Sequence, residues 1–324
     1  MHPQTSNKPF AQMAESVDAL VSNTSGFTSI PVRPRVWVLK EKFERASLFL
    51  YNIKLLFEKD KSLFMKIFLE KYGKTILFFA LIALIGGFFT GLFMIDTFPE
   101  QFKQEFLASM SGQDLPPIPV NLLIAIVISI QSTIYAVVLG TLGIILGKKV
   151  GLFKNEKSIT TKPLLITLAI ALLGGMGMIL PDVLFFNQYS ATIAESYTLK
   201  PSISFILASV TYGAVVEEIM VRLFLMSLIA LLLHKFFGKN TEKPTTAIFV
   251  IANIISAIAF AAGHLPATLQ TMGSSPIILF RCFALNGGLG LLFGYLYRKY
   301  GLRYSMIAHG GCHLVSKFIW FLFL

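Results

Sequence analysis

Two adjacent carboxylates and an arginine interrupt a long apolar run near the middle of the chain. Glu217, Glu218 and Arg222 lie within the segment GAVVEEIMVRLFL, residues 213–225. In a membrane span, a charge near the centre costs at least about 2.5 to 3.5 kcal/mol. On a helix, Glu218 and Arg222 lie at i and i+4 and can form an ion pair, whereas Glu217 is turned about 100° away. The spacing predicts that arginine holds one carboxylate and that Glu217 serves acid–base chemistry.

Three histidines follow in later apolar segments. His264 ends the segment AIAFAAGH, with Phe260 one turn before it, and His309 and His313 lie at i and i+4 in AHGGCHLV. Two histidines on one helical face can bind a metal ion or donate hydrogen bonds to a developing oxyanion. A lone intramembrane histidine more often bridges two helices. Four ionisable groups from three apolar segments, with an arginine beside them, favour a catalytic site.

Composition indicates that these residues lie in a membrane. Of the 324 residues, 55% are hydrophobic and only 14% are charged, against about 25% charged in a globular domain. About 20 residues cross the hydrocarbon core. Apolar runs of that order lie at 75–95, 120–146, 163–181, 202–236, 246–265, 276–297 and 304–324. The predicted fold is an all-α, polytopic transmembrane bundle of about seven spans.

Basic linkers alternate with non-basic linkers between these runs. Lys148 and Lys149 follow the second run and Lys235 ends the fourth, whereas LPATLQTMGSS after the fifth is uncharged. Under the positive-inside rule, the pattern predicts a cytoplasmic N-terminus and an external C-terminus. The net charge of +11 then reflects cytoplasmic loops, so the expected partner is a lipid bilayer and not nucleic acid. We expect a multi-pass protein of a bacterial cytoplasmic (inner) membrane.

The N-terminal part of the chain differs from the rest. Residues 1–38 are polar and lack helical periodicity, which predicts a disordered segment or an extension from a miscalled start codon. Residues 39–73 mix Lys, Arg and Glu with Phe and Leu, a pattern typical of an amphipathic juxtamembrane helix at the interface. The transmembrane bundle is assigned to residues 74–324.

Three motifs in order resemble those of a known protease family. EEIMVR, FAAGH and HGGCH lie on separate apolar runs, and the glycine-spaced GLLFG precedes the last. Over about residues 165–324 the chain resembles the CAAX-processing and bacteriocin-processing (CPBP, or Abi) intramembrane proteases, and is similar to type II CAAX prenyl endopeptidases. The resemblance implies a helical intramembrane endopeptidase that hydrolyses a CAAX-type or leader-like peptide or a membrane-protein substrate.

The resemblance also implies roles for individual residues. The catalytic positions fall on Glu217, His264 and His309, with His313 where the family usually has Asn or Asp. The supporting positions are Glu218, Arg222 and Phe260. Histidine at position 313 can still donate a hydrogen bond or bind a metal ion.

Two mechanisms fit these residues. In the first, Glu217 and His264 activate a water molecule, while His309 and His313 donate to the oxyanion. In the second, His264, His309 and a carboxylate bind Zn²⁺, with His313 as a further candidate ligand, and the metal lowers the pKa of bound water to about 7. The chain lacks the HExxH metalloprotease motif. We favour the metal-free mechanism, which needs no cofactor. Under the second mechanism the cofactor is Zn²⁺. A non-catalytic immunity or scaffold protein of the same fold, and a transporter, are the alternatives.

Two further charges and one geometric requirement follow from the same runs. Arg281 near the end of a span is expected to snorkel toward the interface, and Lys317 in the last span receives no role.

At a rise of about 1.5 Å per residue, Glu217 falls near mid-membrane and His264 near the outer end of its span. Their convergence requires the segment after His264 to enter the bundle, or the fourth run to begin with an interfacial piece.

Overall fold

The computed structural model describes residues 61–97, 118–154, 158–238 and 241–324, together with residues 104, 105 and 108. All regular elements in this part of the chain are helical, as the predicted all-α class requires. Residues Leu69–Leu324 form one compact unit. The predicted N-terminal extension and most of the predicted amphipathic segment lie outside the described residues. The remainder of that segment, 61–73, belongs to the first long helix.

Three long helices open the described bundle: α1 (Lys61–Thr97), α2 (Val120–Val150) and α3 (Thr161–Leu184). A 3₁₀ turn at Phe186–Tyr189 and the short helix α4 (Ala191–Ser196) follow them.

The central run is helical from Ile203 to Phe237 but changes its winding twice. It consists of α5 (Ile203–Ala208), the π-helical segment π1 (Ser209–Glu217), the π-helical segment π2 (Ile219–Met226) and α6 (Ser227–Phe237). Glu218 lies between the two π-helical segments.

The C-terminal part contains the remaining helices. In order they are α7 (Thr246–Gly263), α8 (Leu265–Thr271), α9 (Pro276–Cys282), a π-helical segment at Phe283–Gly287, α10 (Gly288–Tyr300) and α11 (Leu302–Phe323).

Six described helices are long and apolar enough to cross a membrane. They are Lys66–Ile95, Val120–Val150, Thr161–Leu184, Thr246–Thr271, Pro276–Tyr300 and Leu302–Phe323. Six of the seven predicted spans correspond to them. The seventh, 202–236, is the central run, which is helical from Ile203 to Phe237 and combines α-helical and π-helical segments. The chain is therefore a multi-pass membrane protein.

Hydroxyl side chains accompany the π-helical winding of the central run. A π-helix bonds i to i+5 rather than i to i+4, and such turns occur often at functional sites. The Ser209 hydroxyl donates to the Phe205 carbonyl at 2.7 Å, and the Thr211 hydroxyl donates to the Leu207 carbonyl at 2.5 Å. These bonds satisfy backbone carbonyls where the helical ladder changes, which matters in lipid because no water can do so.

Helix α11 packs closely on its neighbours through small residues. A Cβ atom on Gly174 of α3 would lie 2.6 Å from the Cys312 sulfur, and one on Gly311 would lie 2.6 Å from the Ala171 Cβ. Side chains larger than glycine would force these helices apart, as is common for small-residue contacts in membranes. Helix α11 also contacts π1 and α10, and α7 contacts α10 and π2. The motif residues lie on these packed elements.

Arg281 corrects one expectation from the sequence. Its Nε and Nη2 atoms donate to the two oxygens of Asp182 at 2.6 and 2.5 Å, and the Tyr197 hydroxyl donates to the same carboxylate at 3.0 Å. Arg281 therefore connects α9 to the end of α3 through a bidentate ion pair and does not snorkel to the interface.

Candidate active site

Glu218 is the most enclosed carboxylate of the motif region. Its side chain is 0% exposed, and its Oε1 lies 3.3 Å from Nη1 of Arg222. The same oxygen accepts a hydrogen bond from Nδ1 of His309 at 2.9 Å, and Oε2 accepts one from the Ser305 hydroxyl. A buried carboxylate is stable only when it is paired and hydrogen-bonded. The predicted Glu218–Arg222 contact is therefore present, within a larger network that also holds His309.

Arg222 is held by a backbone carbonyl and two aromatic rings as well as by Glu218. Its Nη2 donates to the carbonyl of Gly290 at 3.2 Å. Its guanidinium carbon lies 4.4 Å from the ring centroid of Phe260 and 5.5 Å from that of Phe293. A guanidinium over a ring face is stabilised by the ring quadrupole, most strongly where water is excluded. Three helices are thus joined at this one side chain.

Gly290 allows the Arg222 guanidinium to approach the backbone of α10. A Cβ atom at this position would lie 3.3 Å from Nη2 of Arg222 and 3.2 Å from the Cβ of Ala257. The first glycine of the GLLFG segment therefore lets the α10 backbone come near enough for its carbonyl to reach the guanidinium.

Glu217 differs from Glu218 in both exposure and contacts. Its side chain is 24% exposed, and its Oε2 lies 3.9 Å from Nε2 of His309. His309 therefore lies between the two carboxylates, with Nδ1 bonded to Glu218 and Nε2 turned toward Glu217. Because a carboxylate only accepts hydrogen bonds, Nδ1 of His309 carries a proton and fixes the ring plane. The arrangement leaves Glu217 as the carboxylate able to meet a substrate.

His264 joins this cluster through Phe260. Its Nδ1 lies 2.8 Å from the Phe260 carbonyl, and the two rings are in edge-to-face contact at 4.7 Å. The Phe260 ring in turn lies 5.9 Å from the His309 ring. Because a carbonyl can only accept, Nδ1 of His264 carries the proton, and Nε2 of the neutral ring is an acceptor. The chain turns at His264 from α7 into α8, so the residues after it continue as a short helix.

His313 stacks on His309, which lies one turn before it in α11. The two ring centroids are 5.0 Å apart at an interplanar angle of 28°, and Phe293 stacks on the other side of His309 at 4.5 Å and 20°. The structure therefore brings Glu217, Glu218 and His309 into one direct network. His313 joins that network through ring stacking and His264 joins it through Phe260.

Two contributors were missed by the sequence reasoning. Ser305 precedes His309 by four residues and reaches Glu218 from the same face of α11, so helical spacing alone could have found it. Phe293 lies on α10 and stacks on His309, a contact between helices that no spacing along the chain predicts.

The described residues show no grouped set of zinc ligands. A catalytic zinc site in proteins has three protein ligands in addition to water. Among the described residues, no three His, Cys, Asp or Glu side chains are grouped so that they could hold a metal ion. Nδ1 of His264 and of His309 are bonded to the Phe260 carbonyl and to Glu218, so only their Nε2 atoms could bind a metal. We therefore derive no catalytic step through a metal.

Comparison with known families identifies the region around this network. Residues 199–315 match the family model Rce1-like, described as type II CAAX prenyl endopeptidase Rce1-like. This chain carries an Rce1-like domain. Neither the curated proteins nor the solved structures give a match. The match confirms the resemblance to CAAX proteases, and the Rce1-like segment contains both glutamates, Arg222 and the three histidines. The match supports an intramembrane peptidase of the CAAX type.

Proposed function

We propose that the protein cleaves a peptide bond with a water molecule activated by Glu217 and His264, and that His309 and His313 stabilise the oxyanion. The observation that supports this assignment most is the contrast between the two adjacent glutamates. Glu218 is enclosed and has Arg222, His309 and Ser305 as partners, whereas Glu217 is partly exposed and faces Nε2 of His309. One carboxylate orients the site and the other is available for proton transfer.

The first chemical step is attack by water on the scissile carbonyl. Glu217 takes one proton from the water, and Nε2 of His264 accepts a hydrogen bond from the other. The resulting hydroxide oxygen bonds to the carbonyl carbon, and the carbonyl electron pair moves onto its oxygen. Proton transfer to a positioned side chain of this kind contributes roughly 10²- to 10⁴-fold to the rate.

The second step is collapse of the tetrahedral intermediate. The proton taken from water is shared between Glu217 and Nε2 of His309, which lie 3.9 Å apart, so that His309 becomes a donor as the oxyanion forms. His313 supplies the other hydrogen bond. The carbon–nitrogen bond then breaks, and the leaving amine nitrogen takes the shared proton. The products are a new carboxylic acid, which retains the second water proton, and a new amine; transfer of that proton to the amine gives the carboxylate and ammonium forms, so the atoms balance without a cofactor.

The substrate is proposed to be a membrane-associated peptide of the CAAX type. The three histidines lie on helices that are long and apolar enough to cross a membrane, and the central run, which carries Glu217, packs against those helices. A peptide that carries a prenyl group partitions into the same region, because each buried CH₂ of an acyl or prenyl chain contributes about 0.8 kcal/mol. A prenylated CAAX peptide is therefore the first probe.

Glu217→Gln is the direct test of this function. The amide keeps the shape of the side chain but cannot accept the proton, so kcat/KM on a prenylated CAAX peptide should fall roughly 10²- to 10⁴-fold. Purified protein in lipid nanodiscs is assayed by release of the C-terminal fragment. Glu195→Gln is the matched control, because Glu195 is an exposed carboxylate remote in sequence from the motifs. Full activity in Glu217→Gln would refute the assignment of Glu217.

Metal removal tests the alternative chemistry. Because the proposed mechanism uses no metal, treatment with a strong chelator followed by dialysis should leave kcat/KM unchanged, and elemental analysis of the active protein should find no stoichiometric zinc. Zinc near one equivalent, lost together with activity and restored by added metal, would instead establish a metalloprotease.

A further inference from the structure

Lys317 is a buried cation that the proposed reaction does not use. It lies on α11 one turn after His313, and its side chain is largely enclosed, with the residue 7% exposed. None of the ion pairs found among the described residues includes it. An unpaired ammonium in an apolar bundle is costly, and an ionisable residue at this depth indicates function. Its actual contacts show what that function is.

Two groups contact the ammonium of Lys317. Its Nζ lies 3.4 Å from Nδ1 of His313 and 3.9 Å from the ring centroid of Phe205. Phe205 is itself fixed by stacking on Phe93 at 4.3 Å and by an edge contact with Trp320 at 6.0 Å. The ring face supplies the electrostatic stabilisation that a carboxylate would otherwise give. The ammonium can therefore remain directed at the histidine.

This contact links the protonation of Lys317 to the tautomer of His313. The ammonium form of Lys317 has three donors and no acceptor, so opposite it Nδ1 of His313 accepts and the ring proton is on Nε2. A Cβ atom on Gly213 would lie 3.2 Å from Nε2 of His313 and 3.8 Å from Nε2 of His309. Both Nε2 atoms therefore face the same part of π1, four residues before Glu217 on that segment.

We propose that Lys317 is a positioning residue that fixes His313 as the Nε2–H tautomer and thereby makes it a hydrogen-bond donor to the oxyanion. The proposal rests on the proposed function of His313. An asparagine would present an N–H donor without assistance, whereas a neutral histidine presents one at Nε2 in only one of its two tautomers. Lys317 removes that ambiguity, and the stack on His309 holds the ring plane.

A double-mutant cycle tests the coupling of the two residues. Lys317→Met keeps the length of the side chain and removes the charge and the donors. With a prenylated CAAX peptide, it should lower kcat by up to about 10²-fold, the lower end of the loss for one oxyanion donor, with KM unchanged. In the His313→Asn background the same change should have no further effect, because the amide donates independently of Lys317. Lys317→Arg, which remains a donor-only cation, should recover part of the activity.

A measurement without substrate gives an independent result. Nitrogen-15 NMR of protein labelled at histidine distinguishes protonated from unprotonated ring nitrogens, and His313→Asn identifies the His313 signals by their loss. The wild type should show the Nε2–H tautomer at His313, and Lys317→Met should show a mixture or the Nδ1–H tautomer. An Nδ1–H tautomer in the wild type would overturn the proposal whether or not the peptide is cleaved.

The kinetic outcomes separate this proposal from other roles of Lys317. Equal losses in the wild-type and His313→Asn backgrounds, together with less folded protein, would mean that Lys317 only stabilises the bundle. The other case is a change in KM. If the KM of Lys317→Met is higher than that of the wild type for a peptide with a free C-terminus, but equal to it for a peptide with an amidated C-terminus, then Lys317 binds the substrate carboxylate. Either result overturns tautomer control. Failure of the proposed function itself is seen separately, as full activity in Glu217→Gln.

Discussion

Among the described residues, two buried arginine–carboxylate ion pairs differ in the other partners of the carboxylate: Arg281–Asp182 lies between helices, and Arg222–Glu218 lies within the central run. Asp182 accepts two hydrogen bonds from Arg281 and one from Tyr197, so its partners are a cation and a phenol that take no part in proton transfer. Glu218 meets Arg222 through a single 3.3 Å contact, and its remaining acceptor positions are used by His309 and Ser305.

The difference shows how an intramembrane charge can be assigned to structure or to chemistry. A bidentate arginine satisfies most of a carboxylate's acceptor capacity and gives a rigid connection between elements. A carboxylate that instead divides its bonds between a cation, a histidine and a hydroxyl fixes the orientation of the histidine. The first arrangement is expected to contribute to stability alone, whereas the second contributes to stability and to the geometry of the reacting groups.

The largest expected effect comes from breaking the Glu218–Arg222 pair. Arg222→Met leaves a carboxylate uncompensated in a site that is 0% exposed, which should cost about 3–5 kcal/mol, so the yield of folded protein and its activity should both fall. The double variant Glu218→Gln/Arg222→Met removes both charges and should regain folded protein, measured by size-exclusion chromatography. Its activity should stay low, because His309 has lost its anchoring carboxylate. Recovery of activity in the double variant would contradict the orienting role of Glu218.

Breaking the Asp182–Arg281 pair should give a smaller loss and a different pattern. Asp182→Asn should lower the free energy of unfolding by about 3 kcal/mol, the lower end of the range for a broken buried pair, because the Arg281 side chain keeps 13% exposure. The kcat of the molecules that remain folded should be unchanged. The double variant Asp182→Asn/Arg281→Met should recover thermal stability and keep full activity. A change in kcat would show that this pair is coupled to the active site.

Local spacing predicted the parts of the site that lie on one helix. The contact between Glu218 and Arg222 follows from an i to i+4 separation, and the more exposed position of Glu217 follows from its rotation on the same helix. Ser305 was accessible to the same reasoning but was not considered, because a serine in a span is commonly bonded to its own helix. Most of the helical fold was likewise predictable, since apolar runs of about 20 residues specify it.

Contacts between distant helices were not predictable from spacing. Asp182 and Arg281 are 99 residues apart, and each alone looks like a charge at the end of a span. The π-helical winding of the central run was also missed, because the reasoning assumed 3.6 residues per turn and the alternative depends on tertiary packing. The approach of His309 Nε2 to within 3.9 Å of Glu217 likewise depends on packing between helices.

The smallest expected effect concerns the phenol that completes the Asp182 cluster. Tyr197→Phe removes one hydrogen bond to a carboxylate and should lower the free energy of unfolding by about 1.5 kcal/mol without changing kcat. Burial, and then the neighbouring Asp182, raise the pKa of Tyr197 well above its usual value. A raised pKa means that the stabilisation is complete below the unfolded value of about 10 and declines as the pH rises further.

Thermal unfolding of the wild type and Tyr197→Phe at two pH values therefore isolates this bond. The difference in Tm between the two proteins should be present at neutral pH and should shrink above about pH 10, where the unfolded wild type gains stability by ionising its tyrosine. Other groups that titrate in alkali affect both proteins equally, so they cancel in the difference. Tyr197→Phe keeps the ring and its packing against Trp320, which lies 4.9 Å away. A Tm difference that is the same at both pH values would therefore contradict the raised pKa of Tyr197 in the folded protein.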